Sequence, residues 1–241
     1  MGVSVGSGTI VIEMPRRLAA VALVVLMAAC STGGTEPPTA SSVVHGGADT
    51  PDGALRALLS AVDSVDVKTA AALTDPQQVA LLVSLDGAPL AQTVSMLEEG
   101  VPEASLASFW GTFRDTYIRT FDEGLSDMLI AAGDQVTIDG VDFTLLDVAP
   151  RKGSGLTRWM ARRDGGWRVD LFATFASTFA QPMRLWLVTL ADEPDIAVVR
   201  RAIAAQRPSL LAALQQHPLG ALSPGVAEQI RGLLADVGAT G

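Results

Sequence analysis

Cysteine and histidine, the side chains that most often ligate metals or open covalent mechanisms, are almost missing from this chain. Cys30 is the only cysteine, and His45 and His217 are the only histidines. One thiol cannot close an internal disulfide. Three such residues scattered along the sequence lack the spacing of a metal site, and the same scarcity argues against a Ser–His–Asp triad. No P-loop, H-E-x-x-H or G-x-S-x-G motif follows residue 30. The sequence therefore assigns no catalytic residue, no metal ligand and no cofactor.

Three other groups have the side chains for binding or proton transfer. The first is an aromatic stripe, Phe109, Phe113, Tyr117 and Phe121, with Trp110 beside it. Trp110, Phe113 and Tyr117, with Trp159 from a later strand, are candidates for the wall of an apolar ligand cavity; ordinary helix-on-sheet core is the alternative. The second is a basic group in an acidic chain: Arg151, Lys152, Arg158, Arg162, Arg163 and Arg168. Its arginines at 158, 162 and 168 could hold an anionic headgroup or an acidic partner, or form a solvated sheet face balanced by Asp164 and Asp170. The third is Asp139, Asp142 and Asp147, which could serve in acid–base chemistry, although turn formation accounts for Asp139 alone.

Around Cys30 the sequence reads "PRRLAAVALVVLMAACSTGGTEPP". Arg16 and Arg17 precede twelve apolar residues, Leu18 to Ala29. That run falls short of the roughly 20 residues a spanning helix needs, and it suits the apolar region of a signal peptide. Met14-Pro-Arg-Arg reads as the true start. Met27-Ala28-Ala29-Cys30 resembles the lipobox of bacterial lipoproteins, with methionine where leucine is usual. The resemblance implies cleavage before Cys30, diacylglyceryl transfer to its thiol, and a membrane partner reached through lipid chains. Residues 30–49, rich in Gly, Ser, Thr and Pro, then read as a flexible tether. An ordinary secretory signal with an incidental Cys30 is the alternative.

Those groups need elements to position them, and composition allows a real core. Of 241 residues, 49% are hydrophobic and 18% charged. A formal charge of -9 argues against nucleic acid as a partner. All but two of the 17 basic residues are arginine, which with abundant Ala, Gly and Val fits a GC-rich, actinobacterial source. Thr50-Pro51 and Asp75-Pro76 each pair an N-cap with a proline at the first helical position. A long helix is expected over 102–132 and an antiparallel meander over about 136–175. Asp139-Gly140 marks its first hairpin, and a second turns at Asp164-Gly165-Gly166. There Arg163 should face Trp167. Trp159, Ala161, Trp167, Val169 and Leu171 should share the covered face, opposite Arg158, Arg162, Arg168 and Asp170. Short helices punctuated by proline follow from Met183, with Ser223-Pro224 as a further cap.

The fold class is thus α+β: a mixed domain over 50–180 and a helical extension over 181–241. Helices followed by a meander ending in "ARRDGGWRVDL" resemble the nuclear-transport-factor-2-like cone fold over about residues 50–175. That resemblance implies a cone whose mouth holds a ligand or, in some relatives, a proton-transferring aspartate. The expected function is a non-catalytic, lipid-anchored domain on the extracytoplasmic face, binding a hydrophobic ligand or an envelope protein. The alternatives are a cone-fold isomerase, dehydratase or hydrolase, or a structural interaction protein that uses the helical tail.

Overall fold

The computed structural model describes residues 43–44, 47–152, 156–215 and 222–238. It is a mixed α+β structure with helices at both ends of an antiparallel sheet. Cys30, His45 and His217 lie outside the described residues.

Helix α1 (Pro51–Asp63) begins where the Thr50 hydroxyl accepts the Gly53 N–H at 3.1 Å, with Pro51 at its first position. Helices α2 (Val67–Ala72), α3 (Pro76–Ser84) and α4 (Leu90–Glu99) follow. Asp75 caps α3 by accepting the Gln77 and Gln78 N–H groups. Helix α4 lacks a side-chain cap and opens on Pro89, which is why no start signal marks it in the sequence.

Helix α5 spans Glu103–Phe121, shorter than the 102–132 expected. It stops because Asp122 takes a left-handed backbone, φ 53°, and Gly124 and a 3₁₀ turn at Leu125–Asp127 redirect the chain. Residues 129–132 belong instead to a strand, so the meander starts at Leu129.

Among the described residues the sheet has six strands: β1 (Val43–Val44), β2 (Gly47–Ala48), β3 (Leu129–Ile138), β4 (Val141–Ala149), β5 (Thr157–Asp164) and β6 (Gly166–Val169). Their spatial order is β1-β2-β6-β5-β4-β3, antiparallel throughout. Asp139 and Gly140 both have positive φ, 52° and 78°, as a tight primed turn between β3 and β4 requires. In the β5–β6 hairpin Arg163 pairs with Trp167 and Ala161 with Val169, the register read from the sequence.

Leu171 departs from that reading. The last strand ends at Val169, and Leu171 opens helix α6 (Leu171–Thr189), so the sheet does not reach 175. Asp170 caps this helix with its carboxylate. Its strand-like alternation with Arg168 ran on into a residue that in fact ends the strand. Helices α7 (Ile196–Ala205), α8 (Arg207–Gln215) and α9 (Pro224–Gly238) complete the chain.

The two sheet faces are both covered. Leu146, Val148, Trp159, Ala161, Trp167 and Val169 join α1 and the buried residues of α5 in one core. On the reverse face Phe143 and Met160, each fully buried, meet Ala173 of α6 and Ala212 of α8. The arginine-bearing face is therefore not a solvated surface along its whole length. A third group, including Phe172, Phe179, Met183 and Leu187 of α6, packs with α7, α8 and α9. Among the described residues no helix is long and apolar enough to cross a membrane.

Candidate functional site: a buried polar junction

The structure places each of the three arginines singled out above beside carboxylates, with Asp164 lying within 4.0 Å of both Arg162 and Arg168. Arg158 Nε meets Asp147 Oδ1 across the β4–β5 pair at 2.7 Å. Arg168 Nη1 lies 3.5 Å from Asp164. Both pairs are solvent-screened and contribute at most about 1 kcal/mol each. Arg162 is different. Its Nη2 donates to Asp75 Oδ2 at 2.7 Å, and its Nη1 lies 3.8 Å from Asp170 Oδ2, in a site where Asp170 is 2% exposed.

This junction joins four parts of the chain. Gln78 of α3 donates from Nε2 to Asp170 Oδ1 (3.0 Å) and to Gln206 Oε1 (2.8 Å). Its Oε1 accepts the Leu171 and Phe172 N–H groups at 2.8 and 3.3 Å. Ser209 of α8 donates its hydroxyl to Asp170 Oδ2 at 2.6 Å. The Ala173 N–H reaches Asp170 Oδ1 at 2.8 Å. Thr174 of α6 donates to the Asp170 carbonyl and accepts the Met160 N–H, tying α6 to β5.

Two carboxylates share one guanidinium here, leaving one negative charge without a side-chain counterion. Each carboxylate stands at a helix N-terminus, Asp75 at α3 and Asp170 at α6. The first-turn N–H groups that donate to these carboxylates and the positive ends of the two dipoles offset part of that charge. Burial still dominates at Asp170 and pushes its pKa up, against the opposing pull of Arg162, the Ala173 N–H, Ser209 and Gln78.

A carboxylate accepting from a serine hydroxyl suggests a base and a nucleophile. A reacting atom must also fit within about 3 Å of both. Gln78 and Ser209 are fully buried, and Asp170 and Gln206 are 2% exposed. The groups are saturated by one another, so the junction joins the sheet to the C-terminal helices and offers no substrate position.

The aromatic candidates do come together. Phe113 packs edge-on to Trp110 and to Trp159, with ring centroids 5.8 and 5.7 Å apart, and stacks on Tyr117 at 5.8 Å. Trp110, Tyr117 and Trp159 are at most 2% exposed. Burial pushes the Tyr117 pKa up, while its hydroxyl lies 3.4 Å from Thr157 Oγ1. Trp110 Nε1 is buried without a hydrogen-bond partner.

The aspartates of the first hairpin stay apart in their contacts. Asp139 pairs with Arg207 at 3.3 Å, Asp142 accepts from Thr137, and Asp147 holds Arg158. Arg151 donates from Nε to the Asp127 carbonyl. Among the described residues no three His, Cys, Asp or Glu side chains converge as a metal site.

Sequence reasoning missed Gln78, Gln206 and Ser209 as junction residues. A signal for Asp170 was present: an aspartate before apolar residues at 171, 172, 175, 176 and 179 is an N-cap pattern. No family model, curated protein or solved structure matches the chain.

Proposed function

We propose that this chain is a lipid-anchored extracytoplasmic protein whose folded domain binds a ligand or partner at the cell envelope without catalysing a reaction on it. The lipobox-like Met27-Ala28-Ala29-Cys30 supports the anchor. The observation that carries the non-catalytic reading is the closed junction. Asp170, the most buried carboxylate among the described residues, and Arg162 are spent on one another and on Gln78, Gln206 and Ser209.

A partner protein at the helical layer is favoured over a small guest by one feature. Leu185 and Val188 of α6 are 55% and 69% exposed. Val188 lines a groove of about 320 Å³ with Leu187, Arg200, Ala235 and Asp236. The aromatic rings under α5, by contrast, fill their space with each other.

The anchor is tested by mass spectrometry of the N-terminal peptide of protein recovered from its native membrane. Cys30 should be the first residue and carry acyl chains. A single chain holds only marginally, so two or three are expected. Cys30→Ser should leave the protein uncleaved or release it from the membrane entirely. An unmodified Cys30 thiol in mature protein would overturn the proposal.

A further inference from the structure

Strand β3 is the longest in the sheet among the described residues, and it forms an edge. Ile130 packs into the core under α1, and Ile138 joins the patch with Ala212 of α8. Leu129, residues 131–135 and Thr137 are exposed. The Ile138–Val141 pair closes the two-residue turn and is hydrogen-bonded across the hairpin. Alternation then turns the N–H and C=O groups of Thr137 and Gln135 away from β4. A bulge sets Gly133 and Asp134 together opposite Leu145, so the outward set continues at Ala132 and Ile130. The Ile130 carbonyl accepts from Arg56 Nη2 of α1 at 2.9 Å. Among the described residues the other outward groups have no hydrogen-bond partner. A long edge strand without lysine or proline is a template for another strand.

We propose that this edge is an interface for a second copy of the chain, joined by antiparallel β3–β3 pairing into one continuous sheet. The strand is complementary to itself in one register. With Ile130 opposite Thr137 of the second copy, and Ala132 opposite Gln135, every outward residue meets an outward residue. The two-fold axis then runs through the bulge, and the contact closes on itself. Faces match as well. Ile130 belongs to the core on the α1 side, and alternation puts Thr137 and Asp142 on that same side, with Leu146 and Val148. Charge supports the same register. Asp142 accepts from Thr137 Oγ1 at 2.7 Å and has no ion pair among the described residues. The pairing brings it to the Arg56 of the second copy, twice by symmetry. Asp134, the one charged residue of β3, opposes this by nearing its own copy at the axis, although Gly133 is the residue directly opposite it.

The test is sedimentation of the purified full chain across the micromolar range, paired with hydrogen exchange. The wild type should pass from monomer to dimer as concentration rises. The N–H groups of Ala132, Gln135 and Thr137 should exchange roughly tenfold more slowly in the dimer than in dilute protein. Ala132→Pro removes an outward N–H that β4 does not use, and should abolish the dimer while β4 and β5 stay protected. Asp142→Arg and Arg56→Asp should each weaken association, and the two together should restore it. That rescue separates a lost contact from a damaged fold. Asp134→Asn should tighten association by removing the like charges at the axis. A chain that stays monomeric throughout, with fast exchange at 132, 135 and 137, would overturn the interface. So would a dimer that is indifferent to Ala132→Pro and to both charge reversals, since it would be held by acyl chains or by another surface.

Discussion

Asp170→Ala should cost about 2–4 kcal/mol of folding stability, the range for losing a helix cap together with the acceptor of buried hydrogen-bond donors. The substitution strips the N-cap of α6 from the Ala173 N–H and leaves the Ser209 hydroxyl and one Gln78 amide hydrogen without their acceptor. It also takes from Arg162 its nearest fully buried charge. The denaturant midpoint at constant slope reads the loss. A change under about 1 kcal/mol would mean that the junction is not the tie it is described as.

The same residue gives a pH signature whose sign follows from its burial. The folded-state pKa of Asp170 is raised above the ordinary carboxylate value. Between the ordinary value and the raised one, the folded state holds the proton and the unfolded state does not. The contribution of Asp170 to stability is therefore fully present at pH below the ordinary value and falls as pH rises through the folded value. Asp170→Asn should remove this part of the pH dependence, leaving a flatter curve than the wild type across the acid range. A wild-type slope that survives in Asp170→Asn would assign it to other groups.

Trp159→Ala should cost about 3–5 kcal/mol by a different route. Trp159 is 1% exposed and stands at the centre of the aromatic group. Phe113 and Phe175 meet its ring at 83° and 80°, with centroids 5.7 and 5.0 Å away. Truncation leaves a void between α5, α6 and the sheet that these rings cannot fill without abandoning their own contacts. Chemical denaturation measures the effect. A near-wild-type midpoint would show that the surrounding rings close over the gap.

What the sequence told, and what it hid, divides by distance along the chain. Thr50-Pro51 and Asp75-Pro76 were readable because a cap and the N–H groups it satisfies lie within three residues. The β5–β6 register was readable because one glycine turn fixes it and the tryptophans then fall on one face. The end of α5 was not, because Leu125 and Leu129 continue the helical spacing while the left-handed Asp122 breaks the backbone. Met160 sits between two arginines, so its face looked solvated until α6 and α8 supplied Ala173 and Ala212 to cover it. The junction was the least readable part. Gln78 and Gln206 are separated by 128 positions, and nothing local distinguishes a glutamine that will be buried from one that will be wet.

Helix α6 has a consequence for how the molecule comes apart. Leu171 belongs to the core under α1, Ala173 to the patch behind the sheet, and Phe172, Phe179 and Met183 to the core of the C-terminal helices. Successive side chains at the start of this helix thus face three neighbourhoods. None of the three can melt while leaving the helix intact for the others. Heating should therefore give one calorimetric transition, with van't Hoff and measured enthalpies equal, in place of a separate early loss of the C-terminal helices. For anyone trimming the chain, there is no seam near residue 180 to cut along.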